Sequence, residues 1–140
     1  MSESPRIADL RVAIDFDSYV FYANALNGSP VFRDVQLSIS SAKVLQDIML
    51  EIEVTSLGQP MSHPFLKRIA RLDSEVNFSS PVDIHWNAAN LWNLTEAQPG
   101  EVTLRIHQDE VLLHEQVFPI EVASPSHWKS NHAYATQTLA

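Results

Sequence analysis

Asp15 and Asp17 stand two residues apart, a spacing that sends both carboxylates to one side of an extended chain, where they could share a cation. A calcium loop needs acidic residues at further fixed positions, and these are missing; the polar face of a strand gives the same pair. His107 and His114 flank a candidate turn and could approach each other across it, yet a zinc site needs a third ligand, and neither HxH nor HExxH occurs. Hydrolysis by a serine would call for a GxSxG elbow with a histidine placed to take the proton, and no such elbow is present. Gly28, Gly58 and Gly100 are too far apart to build a phosphate-cradling loop. The reading is a chain with no catalytic residue, no cofactor and no metal.

Contact residues are better represented. Trp86 and Trp92 with Tyr19 and Tyr22 could form a platform for sugars, bases or a peptide, although Trp86 alternates with Val82 and Ile84 as a core residue does. In KRIAR, Lys67, Arg68 and Arg71 lie close together as either a solvated strand face or a contact patch. The candidate contact surface is therefore Tyr19, Phe21, Tyr22, Trp92, Lys67, Arg68 and Arg71.

Those residues must be positioned by strands. Apolar and polar residues alternate in short segments separated by turn residues, the mark of half-buried antiparallel sheet. LRVAIDF places Leu10, Val12, Ile14 and Phe16 on one face, with Arg11 and Asp15 on the other. VFRDVQLSI turns Val31, Val35, Leu37 and Ile39 inward and is interrupted by Arg33. DIMLEIEV buries Ile48, Leu50, Ile52 and Val54 and exposes Glu51 and Glu53. SLGQPMSHP reads as a loop, KRIARL as a short strand, Asp73 and Ser74 as a turn, and PVDIHW as a strand through Val82, Ile84 and Trp86.

One segment is helical: NAANLWNLTEA, with Asn87 as N-cap and Leu91 stacked on Leu94, about two turns long and ended by QPG. EVTLRIH and VLLHEQVFPIEV then close as a hairpin around Asp109 and Glu110. A β-bulge between His114 and Val117 would keep the last strand in phase, and Pro119 marks it as an edge. The aromatic run of residues 14 to 32 fits helical spacing at Tyr19, Tyr22, Ala23 and Leu26 and strand spacing at Tyr19, Phe21, Ala23 and Ala25; an extended strand leading into a hairpin-like return is favoured.

Seven or so short strands and one short helix predict a mainly-β fold, an immunoglobulin- or fibronectin-like antiparallel β-sandwich. Residues 1–9 read as an N-terminal extension, 10–123 as the sandwich and 124–140 as a polar tail or linker. The 140 residues suffice for one core without staples, and cysteine is absent. Seventeen acidic against nine basic side chains give a net charge of -8, which disfavours nucleic-acid binding by this chain alone. MSESPRIADLRV lacks the basic start and apolar run of a signal peptide, and no stretch approaches ~18 apolar residues, so a cytoplasmic chain without a membrane segment is expected.

The run IDFDSYVFYANALNGSPVFRDVQLSI, with Tyr22, Asn27, Gly28, Pro30 and Val31, the segment Asn90 to Glu96, and the closing PIEVASPSHW with Trp128, resembles the β-rich N-terminal region of large bacterial helicase-nuclease proteins. In that family the region, a domain of unknown function, precedes a superfamily 1 motor and an endonuclease domain, and some members are implicated in phage defence. The resemblance spans about 120 residues and carries no catalytic motif. It implies a non-catalytic docking module whose partner is protein, as a monomer or weak dimer. From the aromatic residues alone, a stand-alone sandwich binding carbohydrate or single-stranded nucleic acid is the alternative.

Overall fold

The structure, a computed structural model, describes residues 5–20 and 31–123. Phe21, Tyr22, the proposed return before Val31 and the proposed tail lie outside the described residues. Among these residues nine strands follow in order: β1 (Leu10–Phe16), β2 (Tyr19–Val20), β3 (Phe32–Ile39), β4 (Leu45–Ser56), β5 (Gln59–Pro60), β6 (Phe65–Leu72), β7 (Phe78–Pro81), β8 (Gln98–Gln108) and β9 (Val111–Val122). Among the described residues one short helix, α1 (Ala88–Trp92), lies between β7 and β8. One sheet has the order β1-β3-β7; the other runs β2-β9-β8-β4-β5, with β6 also paired to β4. This is the predicted β-sandwich. Among the described residues every pairing is antiparallel except the two-residue contact of β2 with β9.

The first two strands divide between the layers. β1 pairs with β3, the chain turns at Asp17 and Ser18, and β2 joins the end of β9 through Glu121 N–H to Ser18 C=O (2.9 Å) and Ala123 N–H to Val20 C=O (2.9 Å). Residues upstream take part as well. Pro5 C=O accepts from Glu115 N–H (2.8 Å), and Ile7 is buried. The Ile7 N–H donates to His114 Nδ1 (2.9 Å), so this nitrogen carries a lone pair and Nε2–H donates to Gln116 Oε1 (3.1 Å). Burial comes first in lowering the His114 pKa, with a smaller contribution from the Arg6 charge, while the Gln116 hydrogen bond opposes both.

The core lies between the facing sides of the sheets. Leu50, Ile52, Val54, Val102, Leu104 and Ile106 are fully buried, each contributing roughly 1.5–3 kcal/mol by leaving water. At one end Phe16 stacks on Phe32 (centroids 5.3 Å apart) and meets Phe118 edge-on (6.3 Å), while Phe32 touches Trp86 (6.1 Å). These described members of the aromatic run are core.

Local irregularities explain where the sequence pattern slips. The β1–β3 register shifts after Asp15, leaving Arg33 as the extra residue between Asp34 and Phe32. The bulge in β9 sits at Leu113, because His107 opposes Leu112 while Ile106 opposes His114. It therefore precedes His114 instead of following it, and Glu115 keeps the outward phase of Val117, Pro119 and Glu121. In β4, Asp47 has φ 50, and both it and the facing stretch of β6 break phase, so Leu45, Ile48, Ile69 and Leu72 are all buried.

Other expectations shift by a few residues. QPG belongs to β8, where Gly100 packs so closely that a Cβ would lie 3.0 Å from Thr55 C=O. Gln59 and Pro60, expected in a loop, pair back onto β4 through a two-residue turn in which Leu57 (φ 50) and Gly58 (φ 80) are left-handed. Beyond Pro81 the alternation of Val82, Ile84 and Trp86 survives in burial, but the pairing is a single bridge between Trp86 and Ser62. The helix is capped by Asn87 as read, with its side chain accepting from Asn90 N–H at 3.0 Å, and it seats Leu91 in the core.

Candidate interaction surface

The outer face of the β6-β4-β8-β9 sheet concentrates the charged chemistry. Register alone sets Glu51 opposite Arg105 and Arg105 opposite Glu115, a carboxylate–guanidinium–carboxylate row over three strands, with Leu66 of β6 next in line beside Glu51. Opposite charges directly across an antiparallel pair contribute roughly 0.2–1 kcal/mol each. Arg105 Nε donates to Glu115 Oε2 (2.7 Å) and Nη1 to Glu53 Oε1 (2.7 Å), with Glu51 at 3.6 Å. His107 Nε2 lies 3.1 Å from Glu51 Oε1. Glu51 and Glu53, expected to be exposed, are half-buried, with about a fifth of each side chain accessible (20% and 19%). The guanidinium draws them onto the sheet. Burial works against the Arg105 charge, but the Glu53 and Glu115 hydrogen bonds and the fields of Glu53 and Glu51 outweigh it and raise its pKa.

Apolar side chains border this network. Leu66 is 59% exposed on one side and Val117 49% on the other. Three carboxylates thus face one guanidinium on a surface edged by aliphatic groups.

The sequence candidates fall around this face. Lys67, Arg68 and Arg71 lie on β6, which among the described residues pairs only with β4. Arg68 stands 3.8 Å from Asp47, both exposed. Arg71 is tied to Asp73, whose buried carboxylate also accepts from Glu75 N–H (2.8 Å) and Val76 N–H (2.9 Å). Those backbone donors, the Glu75 N–H first, together with Arg71 hold the Asp73 carboxyl below its ordinary pKa. Tyr19, on β2, is half-buried, and burial with the neighbouring Glu121 raises its phenol pKa. Trp92 is 52% exposed on α1. The aromatic and basic candidates thus sit on separate elements, while Trp86 belongs to the core.

Two pairs read for metal chemistry have other roles. Asp15 and Asp17 do share a cation, but it is the Arg33 guanidinium, with Nη2 2.8 Å from Asp15 and Nη1 3.0 Å from Asp17. His107 and His114 lie on opposite faces of the sheet, one on Glu51 and the other buried against Ile7. Among the described residues no group of three or more His, Asp or Glu is placed to hold a metal ion, and no helix is long and apolar enough to cross a membrane.

Sequence reasoning missed Arg105, Glu51, Glu53, Glu115 and His107 as a set. The available signal was the opposite charge of residues that face each other once the strands are in register. No protein-family model matches the sequence, and no curated protein matches it either.

Proposed function

We propose that this chain is a non-catalytic docking module that binds a partner protein through the outer face of the β6-β4-β8-β9 sheet. The observation that supports this is the half-buried Glu51–Glu53–Glu115 cluster around Arg105, edged by the exposed Leu66 and Val117. Carboxylates already held in place by a guanidinium lose little side-chain freedom on binding, and aliphatic margins let a partner exclude water around them. An excess of carboxylates, on a chain of net charge -8, suits a partner presenting lysine or arginine among apolar groups and opposes a phosphate backbone. The resemblance of residues 14–39 and 90–96 supplies the partner class: the remaining domains of a bacterial helicase-nuclease protein.

Carboxylate-to-lysine cross-linking in the native cell, read by mass spectrometry, tests the face. Cross-links should start from Glu51, Glu53 or Glu115 and be lost with Glu53→Lys. Cross-links confined to carboxylates elsewhere, with Glu53→Lys behaving as wild type, would reject it. The parent assignment is checked separately by translating the genome onward from the codon of Ala140: a continuing frame with a helicase motor supports it, and a stop codon removes it.

A further inference from the structure

Leu57 is an unusual choice for its place. It is the first residue of a two-residue turn between β4 and β5 with φ 50, a left-handed conformation that branched side chains adopt at a cost and that asparagine or glycine normally fills. Its side chain is 73% exposed, so the core gives no reason for a leucine either. Beside it lies a groove of about 290 Å³ lined by Leu57, Met61 and Leu94 with four primary amides, Gln59, Asn90, Asn93 and Gln98. That volume is at the small end of ligand pockets.

The amides are partly committed. Asn90 Nδ2 donates to Pro60 C=O (2.7 Å) and Gln98 Nε2 donates to Ser56 Oγ (2.6 Å). Their NH₂ groups are thereby held, and their oxygens remain acceptors for a donor entering the groove. None of the seven lining residues is ionisable, in a chain of net charge -8. A neutral lining with an aliphatic floor and amide rim matches, in charge and in hydrogen bonding, a neutral ligand that brings N–H donors and an apolar side chain.

We propose that this groove docks an uncharged extended peptide segment of a partner protein, with an aliphatic side chain seated on Leu57, Met61 and Leu94 and the peptide backbone bonded to the amide rim. The site is separate from the acidic face and does not depend on it. Leu57 is then retained for contact at the expense of the turn, a trade between function and stability.

The test is a selection from a phage-displayed random heptapeptide library with the wild-type chain, followed by affinity measurement of the best synthetic peptide with capped ends. Enriched peptides should share an aliphatic residue among uncharged ones. Their binding should change less than twofold between about 50 and 500 mM salt. Leu57→Asn should raise the thermal midpoint by about 2 °C or more, because Asn-Gly suits this turn, while weakening the peptide at least tenfold; Gln59→Ala should weaken it without changing the midpoint. The proposal fails if no peptide is enriched, if the enriched peptides are charged and salt-sensitive, or if Leu57→Asn binds them as wild type does. It fails also if Leu57→Asn instead abolishes a concentration-dependent dimer, which would make the occupant a second copy of the chain.

Discussion

Arg105 is the residue on which the outer face of the larger sheet turns, since among the described residues it alone is bonded to carboxylates from two neighbouring strands. Replacing it with Met keeps the length and apolar stem and leaves Glu51, Glu53 and Glu115 facing one another. The loss should be about 1–3 kcal/mol, between the values for exposed and buried pairs. It should shrink when Glu53→Gln and Glu115→Gln are also present, because the repulsion is then gone. Denaturant unfolding of the four variants measures this, and additive losses would show that the side chains act independently. Why the residue escaped the sequence reading is a matter of one extra residue. A two-residue turn at Asp109 and Glu110 without a bulge would set Arg105 against His114; Leu113 moves the partner on to Glu115. The Glu51–Arg105 pair spans more than fifty positions, and no local pattern announces it.

Strand elements were legible because burial on one face writes alternation into the sequence. Leu10 to Phe16, Ile48 to Val54 and Val102 to Ile106 show it, and their burial follows the reading. The Asn87 cap and the turn at Asp109 and Glu110 were legible for a different reason: side-chain chemistry and polar residues that tolerate left-handed backbone act locally. Only in part legible were the devices that bend strands out of phase. The interruption at Arg33 is readable and the bulge expected after His114 lies at Leu113, while Asp47 gives no sign, because the position of each is fixed by its partner strand. Gly100 belongs here too. Read as part of a helix stop, it is instead the point where β8 fits between Thr55 of β4 and Ile120 and Val122 of β9. Gly100→Ala would bring a methyl against a backbone carbonyl that has little room to retreat, and a loss of about 1–3 kcal/mol in chemical unfolding is expected. An unchanged midpoint would mean that the two sheet edges there are looser than their packing indicates.

For the molecule as a whole, the response to acid should come in two stages. His114 is neutral and buried in the fold with its pKa lowered, whereas in the unfolded chain it takes a proton near the ordinary value of about 6.5. Below that pH the unfolded state binds more protons than the native one, so stability is complete above it and falls as pH drops toward the folded pKa, by up to about 1.4 kcal/mol per unit. Asp73, its pKa lowered by backbone donors and Arg71, keeps its contribution until pH falls below the carboxylate range near 4. Urea midpoints between pH 7.5 and 4.5 should decline for the wild type and stay level for His114→Gln; parallel declines would assign the first stage to other groups. The same histidine guards the edge of the larger sheet. Amide groups on that side of β9 are occupied at Glu115 by Pro5 and at Glu121 and Ala123 by residues 18 and 20; between them lie Val117 and Pro119, which has no N–H to offer. While Ile7 remains on His114 the Glu115 N–H stays covered by Pro5, and protonation that lets residues 5–7 leave would uncover Glu115 beside Val117 as a template for a further strand. Mild acid should therefore favour self-association along this edge, read as light scattering that rises with protein concentration.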